Sequence, residues 1–476
     1  MPEMKALQPV HRMVFKMDRR QAISSLASAF SFSFVPSSVF GANQRLQIAA
    51  VGVGGKGRSD FDQLARHGEV IAACDVDRKR LDFALQSYPR ARKYSDYRKM
   101  IMELGDRMDV LSISTPDHSH ALAAQRAMHA GIHLFVQAPL SHTVWEARQL
   151  TKLAKKKKLC TQMGIQGTAQ DRFREGVEYL RSGRLGEVQE IHAWAGSAQW
   201  PQAPKVTKKP EQSLPVPEHL NWSGFLGSAL PRPYHSCYHP YNWRGWIDFG
   251  TGLLGSTGCH LLNLPVMGCQ LPAPQKVSCL HRGPVNRDTY PAWSSLKYEF
   301  EQPGIPPITL NWYEGRIGHL SAKISGQPNL PAPDLFSGHS IPATGVLIIG
   351  KKGKFLALGD YGTRWKVNFG REWVEPEQAL AGVARILPRN DRGDSGMKEE
   401  LVRAIRLGEP DLCLANFEHA GLLSEICLLG NVALLEGGEF AWNSQLLKAD
   451  RPIISQRISK PYSRGWEVRE ESPDSD

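Results

Sequence analysis

Short apolar runs alternate with stretches of helical period through the first third of the chain. Residues 46–51, 70–74, 109–114 and 133–136 are short runs rich in Val, Ile, Leu and Ala, and Leu159-Cys160-Thr161-Gln162-Met163-Gly164 continues the series. Runs of that length and composition predict strands. Residues 58–67, 121–130 and 143–157 carry the helical period, the second stretch closed by Gly131 and the third opened by Thr143 as an N-cap. Strands that alternate with helices are covered on both faces, so the expected architecture is α/β with a doubly wound parallel sheet.

After Gly167 the pattern changes. A helix is expected over 171–182, ending at Gly183. Period-two alternation with Trp, Tyr and Thr then predicts strands over 188–194, 276–281, 295–300, 308–312, 346–349 and 354–358, forming a largely open sheet. Residues 197–217 and 315–344 read as long loops suited to covering a ligand, and 394–407 and 417–435 as helices. The expected division is an N-terminal extension over 1–43, a nucleotide domain over 44–165, an open-sheet domain over 166–460 and an acidic tail over 461–476.

The chain has 476 residues, 41% hydrophobic and 22% charged, which excludes disordered and collagen-like classes. Its net charge of +11 overstates the basicity, because residues 1–20 hold Lys5, Arg12, Lys16, Arg19 and Arg20 against only Glu3 and Asp18. No nucleic-acid partner is expected. The lysines at 155–158 read as a solvated helix end. Eight cysteines without a CxxC pair give neither a zinc site nor a disulfide framework, and no metal site is expected.

Arg19-Arg20 precedes an uncharged, Ser/Ala/Phe-rich stretch over 21–44. This resembles a twin-arginine (Tat) export signal, which implies a periplasmic protein, or a cytoplasmic one if the leader does not function. Several serines and Pro36 make the stretch a poor membrane span, and no later span is expected.

The first predicted strand runs into Gly52-Val53-Gly54-Gly55-Lys56-Gly57, a complete G-x-G-x-x-G followed by a helix. Gly52 permits the tight turn, Gly54 and Gly55 let backbone approach a pyrophosphate, and Gly57 lets helix pack on strand. The helix N-terminus offers N–H groups and a positive dipole end to phosphates. Asp75 ends the next strand about 20 residues on, where an acid accepts a ribose hydroxyl. An acid there favours NAD over NADP, with Arg78 leaving NADP open. Thr115-Pro116-Asp117-His118-Ser119-His120 and Gln137-Ala138-Pro139 fall at later strand ends, where ligands sit in such sheets.

These motifs, with Tyr238-His239-Pro240-Tyr241-Asn242-Trp243-Arg244-Gly245-Trp246, Asp248-Phe249-Gly250-Thr251-Gly252, Gly258-Cys259-His260 and residues 428–434, resemble the Gfo/Idh/MocA family of sugar-type oxidoreductases, notably its exported branch, over 45–466. The resemblance implies a Rossmann domain followed by an α+β domain with a large, open, mainly antiparallel sheet. It implies NAD held by Gly52, Gly54, Gly55, Gly57, Asp75, Thr115, Pro116, His118, His120, Gln137 and Pro139. It also implies a carbohydrate substrate and a homo-oligomer, a dimer or tetramer.

The chain departs from the family at its proton-handling positions. Family members carry E-K-P where this chain has Gln137-Ala138-Pro139, and D-x-x-x-H where it has Ser256 through His260. A frequent Asp is Asn263 here, and the Asn of M-G-N-Q-G is Ile165. A methyl group cannot move a proton, and loss of acid–base help costs about 10²–10⁴ in rate. His260 is therefore the candidate sole acid/base, a structural histidine being the alternative. Tyr241, Trp243, Arg244 and Trp246 are candidates to stack on and hydrogen-bond a sugar. Three functions fit: a hydride-transferring oxidoreductase working through His260, a binding or scaffolding protein that retains the nucleotide, and a redox-assisted, NAD-dependent glycoside-cleaving enzyme.

Overall fold

Strand β1 (Leu46–Val51) is buried at every position but Gln47, as a central strand covered on both faces must be. The computed structural model describes residues 45–195, 208–302, 304–315, 330–390 and 392–471. The twin-arginine segment and about half of the two expected ligand-covering loops, residues 197–207 and 316–329, lie outside the described residues.

β1 pairs in parallel with β2 (Gly68–Cys74) on one side and β4 (Val110–Ile113) on the other. β3 (Arg92–Tyr94), β5 (His133–Gln137) and β6 (Thr161–Gly164) complete a six-stranded sheet of order β3-β2-β1-β4-β5-β6. This is the Rossmann order, and strand order reverses between β1 and β4, where their ends diverge into a crevice. The helix Val144–Lys157 starts in a capping box. Thr143 Oγ1 accepts from Glu146 N and the Glu146 carboxylate accepts from Thr143 N, a device worth about 1 kcal/mol. The helices Arg78–Leu85 and Tyr97–Leu104, not anticipated from periodicity, are capped by Asp77 and Asp96. β3 escaped notice because three residues, two of them charged, carry no readable period.

The second sheet is mainly antiparallel and has ten strands. β7 (Val188–Ala195), β8 (Lys276–Arg282), β9 (Ser294–Gln302), β10 (Ile305–Glu314), β11 (Thr344–Gly350) and β12 (Lys354–Leu358) match the expected strands. β13 (Arg364–Asn368), β14 (Trp373–Val374), β15 (Gly438–Asn443) and β16 (Lys448–Ala449) extend its two edges. β7 and β10 are parallel, and the other pairings are antiparallel. The helices Asp171–Arg181, Cys259–Gly268 and Phe417–Glu436 pack on one another and on this sheet.

Helix Phe417–Glu436 is long and apolar enough to cross a membrane, although no such stretch was anticipated. It is a core helix: most of it is buried, and its Glu425 accepts from Arg148 and from Trp442 Nε1. Residues 461–471, the described part of the acidic tail, pack on the nucleotide domain. Tyr462 donates to Glu146, Arg469 N to Gln125, and Trp466 lies under the Arg98 guanidinium, 3.6 Å from Cζ to ring centre.

Candidate functional site

A cleft of about 480 Å³ opens where the ends of β1, β2, β4 and β5 meet the second domain. Its floor is the glycine-rich turn. Gly52 has φ +79°, and a Cβ there would stand 2.6 Å from Ser114 O. At Gly57 a Cβ would stand 2.0 Å from Gly52 O, so helix Lys56–Leu64 can close on β1 only through hydrogen. Gly55 is the N-cap residue and carries no side-chain cap; Gly57 N donates to Gly54 O at 3.0 Å and Arg58 N to Gly55 O at 3.2 Å, which closes the turn.

Asp75 lies at the tip of β2. Its Oδ2 accepts from Val53 N and its Oδ1 from Asp77 N, both at 2.9 Å, so one carboxylate fixes the glycine-rich turn to the strand end. Burial pushes its pKa up, against the two N–H donors, which pull it down. The cation beside it is Arg80, not the expected Arg78: Arg78 is exposed and off the cleft, whereas the Arg80 guanidinium packs over Gly54. Arg80 also stands 5.6 Å from the Tyr241 ring centre. Tyr241, 60% exposed, thus closes the β2 end of the cleft rather than its far end. Trp466 lines the same end. Nothing in its local sequence announced it.

Thr115 and Pro116 at the tip of β4, and Gln137 and Ala138 at the tip of β5, line the cleft. Thr115 Oγ1 is buried and has no hydrogen-bond partner among the described residues. Three expected contacts are placed elsewhere. His118 is buried behind the wall, with Nε2 2.8 Å from Phe225 O and Nδ1 3.2 Å from Phe249 O. Burial pushes its pKa down to about 3, so the ring is neutral and its single N–H serves one carbonyl. His120 spans Pro139 O and Thr115 O, 2.8 Å from each, and ties the tips of β4 and β5 together. Pro139 is buried behind Ala138.

The opposite wall comes from the π-helical turn Leu254–Gly258 and the helix it feeds. Ser256, Thr257 and His260 line the cleft from there. Ser256 Oγ donates back to Gly252 O at 2.8 Å, so it does not orient His260. His260 Nδ1 is buried and has no partner among the described residues. Burial first, and the Lys56 cation second, push its pKa down to about 4, with Asp394 opposing. Its ring meets Tyr361 edge-on, centroids 5.1 Å apart. Tyr361 arrives from the turn after β12, a contact no local pattern could reveal. Asn263 is buried off the cleft, where its amide joins Thr168 to His419. Trp243 and Arg244 line the cleft, with Arg244 Cζ 4.4 Å from the Trp243 ring centre. Trp246 does not: it is 2% exposed in an aromatic cluster with Tyr238, and its Nε1 donates to Cys237 O.

Lysines 56 and 398 and aspartates 60 and 394 form a square beneath the glycine-rich turn. Lys398 Nζ donates to Asp60 Oδ1 at 2.7 Å and to Asp394 Oδ1 at 2.5 Å. Lys56 Nζ donates to Asp60 Oδ1 at 2.7 Å and also to Asp394. Burial would lower the Lys56 pKa, but the two carboxylates outweigh it and the net direction is up. The backbone cradle, the unpartnered Thr115 hydroxyl and the carboxylate at the β2 tip together fit a dinucleotide.

Residues 46–165 match the family described as "Oxidoreductase family, NAD-binding Rossmann fold", Gfo/Idh/MocA. A glycosyl hydrolase family 109 protein of Shewanella pealeana is 29% identical over 153 residues, covering 30% of this chain and 33% of the relative. An inositol 2-dehydrogenase of Salmonella paratyphi B is 26% identical over 152 residues, covering 31% and 45%. The chain thus spans a third to under half the length of these relatives. The solved inositol dehydrogenase homolog of Azotobacter vinelandii, complexed with NADH and myo-inositol, superposes with a TM-score of 0.56 at 17% identity. That likeness covers 84% of this chain and 98% of the other, and it establishes the two-domain fold.

Proposed function

We propose, from the match of residues 46–165 to the NAD-binding Rossmann fold of the oxidoreductase family, that the whole chain moves hydride between NAD and a hydroxyl-bearing carbon of a sugar, polyol or related carbohydrate. The observation that carries this reading is one cleft bounded by both the glycine-rich cradle and His260. The backbone around Gly54 and Gly55 and the Thr115 hydroxyl hold the nucleotide phosphates, and Asp75 faces its ribose. When bound, the nucleotide supplies the hydride acceptor. His260 is neutral at pH 7, with its pKa near 4, and accepts the hydroxyl proton. Trp243 and Arg244 offer an apolar face and donors to a sugar ring.

The test is absorbance of reduced nicotinamide on mixing the chain and NAD with aldoses, polyols and inositols. His260→Ala should lower kcat by about 10²–10⁴ and leave the Kd for NAD little changed. Ala138 and the inward-turned Ser256 favour a second reading, a nucleotide-retaining binding protein. Intact NAD binding with no turnover on any carbohydrate would select it. Release of sugar without net reduced nucleotide would select glycoside cleavage, the chemistry named in the family 109 relatives. Export by the twin-arginine route and pairing of copies through the open sheet remain part of this proposal. A reporter fusion to residues 1–44 and sedimentation of the purified chain test them.

A further inference from the structure

Ala138 leaves its wall of the cleft without an ammonium group. One enters from the floor. Lys56 belongs to the glycine-rich turn, lines the same cleft, and keeps 39% of its side chain exposed although its Nζ is doubly paired. An ammonium has three donors, and Asp60 and Asp394 take two, so one N–H is left for the cleft.

The square beneath it explains how a lysine in this place stays available. Two carboxylates facing Lys56 alone would hold it as an inert pair. The fully buried Lys398 shares both, which makes the group neutral overall and leaves each carboxylate divided between two cations. Asp60 Oδ2 meanwhile accepts from Gln137 Nε2 at 2.7 Å and from Ser114 Oγ at 2.9 Å. One carboxylate therefore reaches from Lys56 to the residue next to Ala138. Lys56 is also close enough to His260 to depress its pKa.

Resting on the proposed oxidoreductase reading, we propose that Lys56 is a catalytic residue that supplies the ammonium absent at position 138. Its third N–H donates to the oxygen of the reacting hydroxyl, and its charge stabilises that oxygen as the proton passes to His260. Lys56 itself gives up no proton. The same charge disfavours the cationic, oxidised nicotinamide ring relative to the neutral reduced one.

Calorimetric titration with NAD and NADH tests this without turnover. Lys56→Met should tighten NAD relative to NADH by about five-fold, and Lys56→Arg should keep the unaltered ratio. The double variant Lys56→Met with Ala138→Lys should return the ratio toward that of the unaltered chain, and it also serves if the single variant folds poorly. Histidine NMR gives a second reading. His260 is faced by Lys56, Asp394 and Tyr361, and its pKa should rise from about 4 in Lys56→Met but not in Lys56→Arg. A nucleotide ratio and a His260 titration both unmoved by Lys56→Met would overturn the proposal. If the unaltered chain turns over no carbohydrate, the hydride-transfer reading fails, while these two measurements still decide where Lys56 acts.

Discussion

Gln137 Nε2 donates to Asp60 Oδ2 at 2.7 Å, joining the tip of β5 to the helix that follows the glycine-rich turn. Gly164 on the neighbouring strand makes room for it, since a Cβ there would stand 2.6 Å from the same amide. Asp60 is fully buried, so its second oxygen needs a donor, and a neutral amide provides one where a carboxylate would repel.

Gln137→Glu is therefore expected to destabilise the fold by about 1–3 kcal/mol at pH 7.5. Urea denaturation of the two chains measures it. An unchanged midpoint would show that the two groups do not meet.

The glycines of the turn should differ sharply in tolerance. Gly57→Ala places a Cβ against Gly52 O and should weaken NAD binding at least about 100-fold, because backbone on both sides must move. Gly55→Ala meets nothing within 4 Å and carries only the backbone strain of φ +55°, ψ −121°, about 1–3 kcal/mol. Titration calorimetry on the two variants reads the difference, and equal losses would contradict the packing described.

Asp75 and Arg80 should set nucleotide preference together. Asp75→Asn removes the charge that repels a 2′-phosphate while keeping a side chain of the same shape. Affinity for NADP relative to NAD should rise about ten-fold. Arg80→Ala in that background should remove most of the gain. A ratio unchanged in Asp75→Asn would mean that the carboxylate serves only to hold Val53 and Asp77.

Acid should unfold this protein through its buried neutral histidines. Burial pushes His133, His239, His260 and His419 down to about 4, and His118 to about 3. Below about 6.5, the ordinary histidine value, the unfolded chain takes up protons that the folded chain refuses. Stability therefore falls as pH drops from about 6.5 to about 4, each such histidine adding a slope of up to about 1.4 kcal/mol per pH unit. Denaturant midpoints across that range test this. A flat profile between pH 6.5 and 4.5 would refute it.

Most of the elements and the nucleotide turn were legible in the residues alone, because those signals are local. A strand buried on both faces must be largely apolar, as 46–51 is at every position but Gln47, and a helix start needs a cap such as Thr143. A turn whose Cβ atoms would meet backbone oxygen must be glycine, and that constraint is written in six consecutive residues. His260 was legible through the resemblance, as the histidine of the family's D-x-x-x-H motif.

Only the tertiary structure decided which side chains share the cleft with them. Lys398 reaches Asp60 across 338 positions of chain, and Tyr361 meets His260 across a second sheet. His118, His120 and Trp246 sit in the recognised motifs, yet packing turns them toward backbone carbonyls and away from the ligand. Tyr241, grouped by sequence with a sugar site, lies against Arg80 instead. Period and spacing fix what a segment becomes, whereas the approach of distant segments depends on how whole layers dock, which no local window contains.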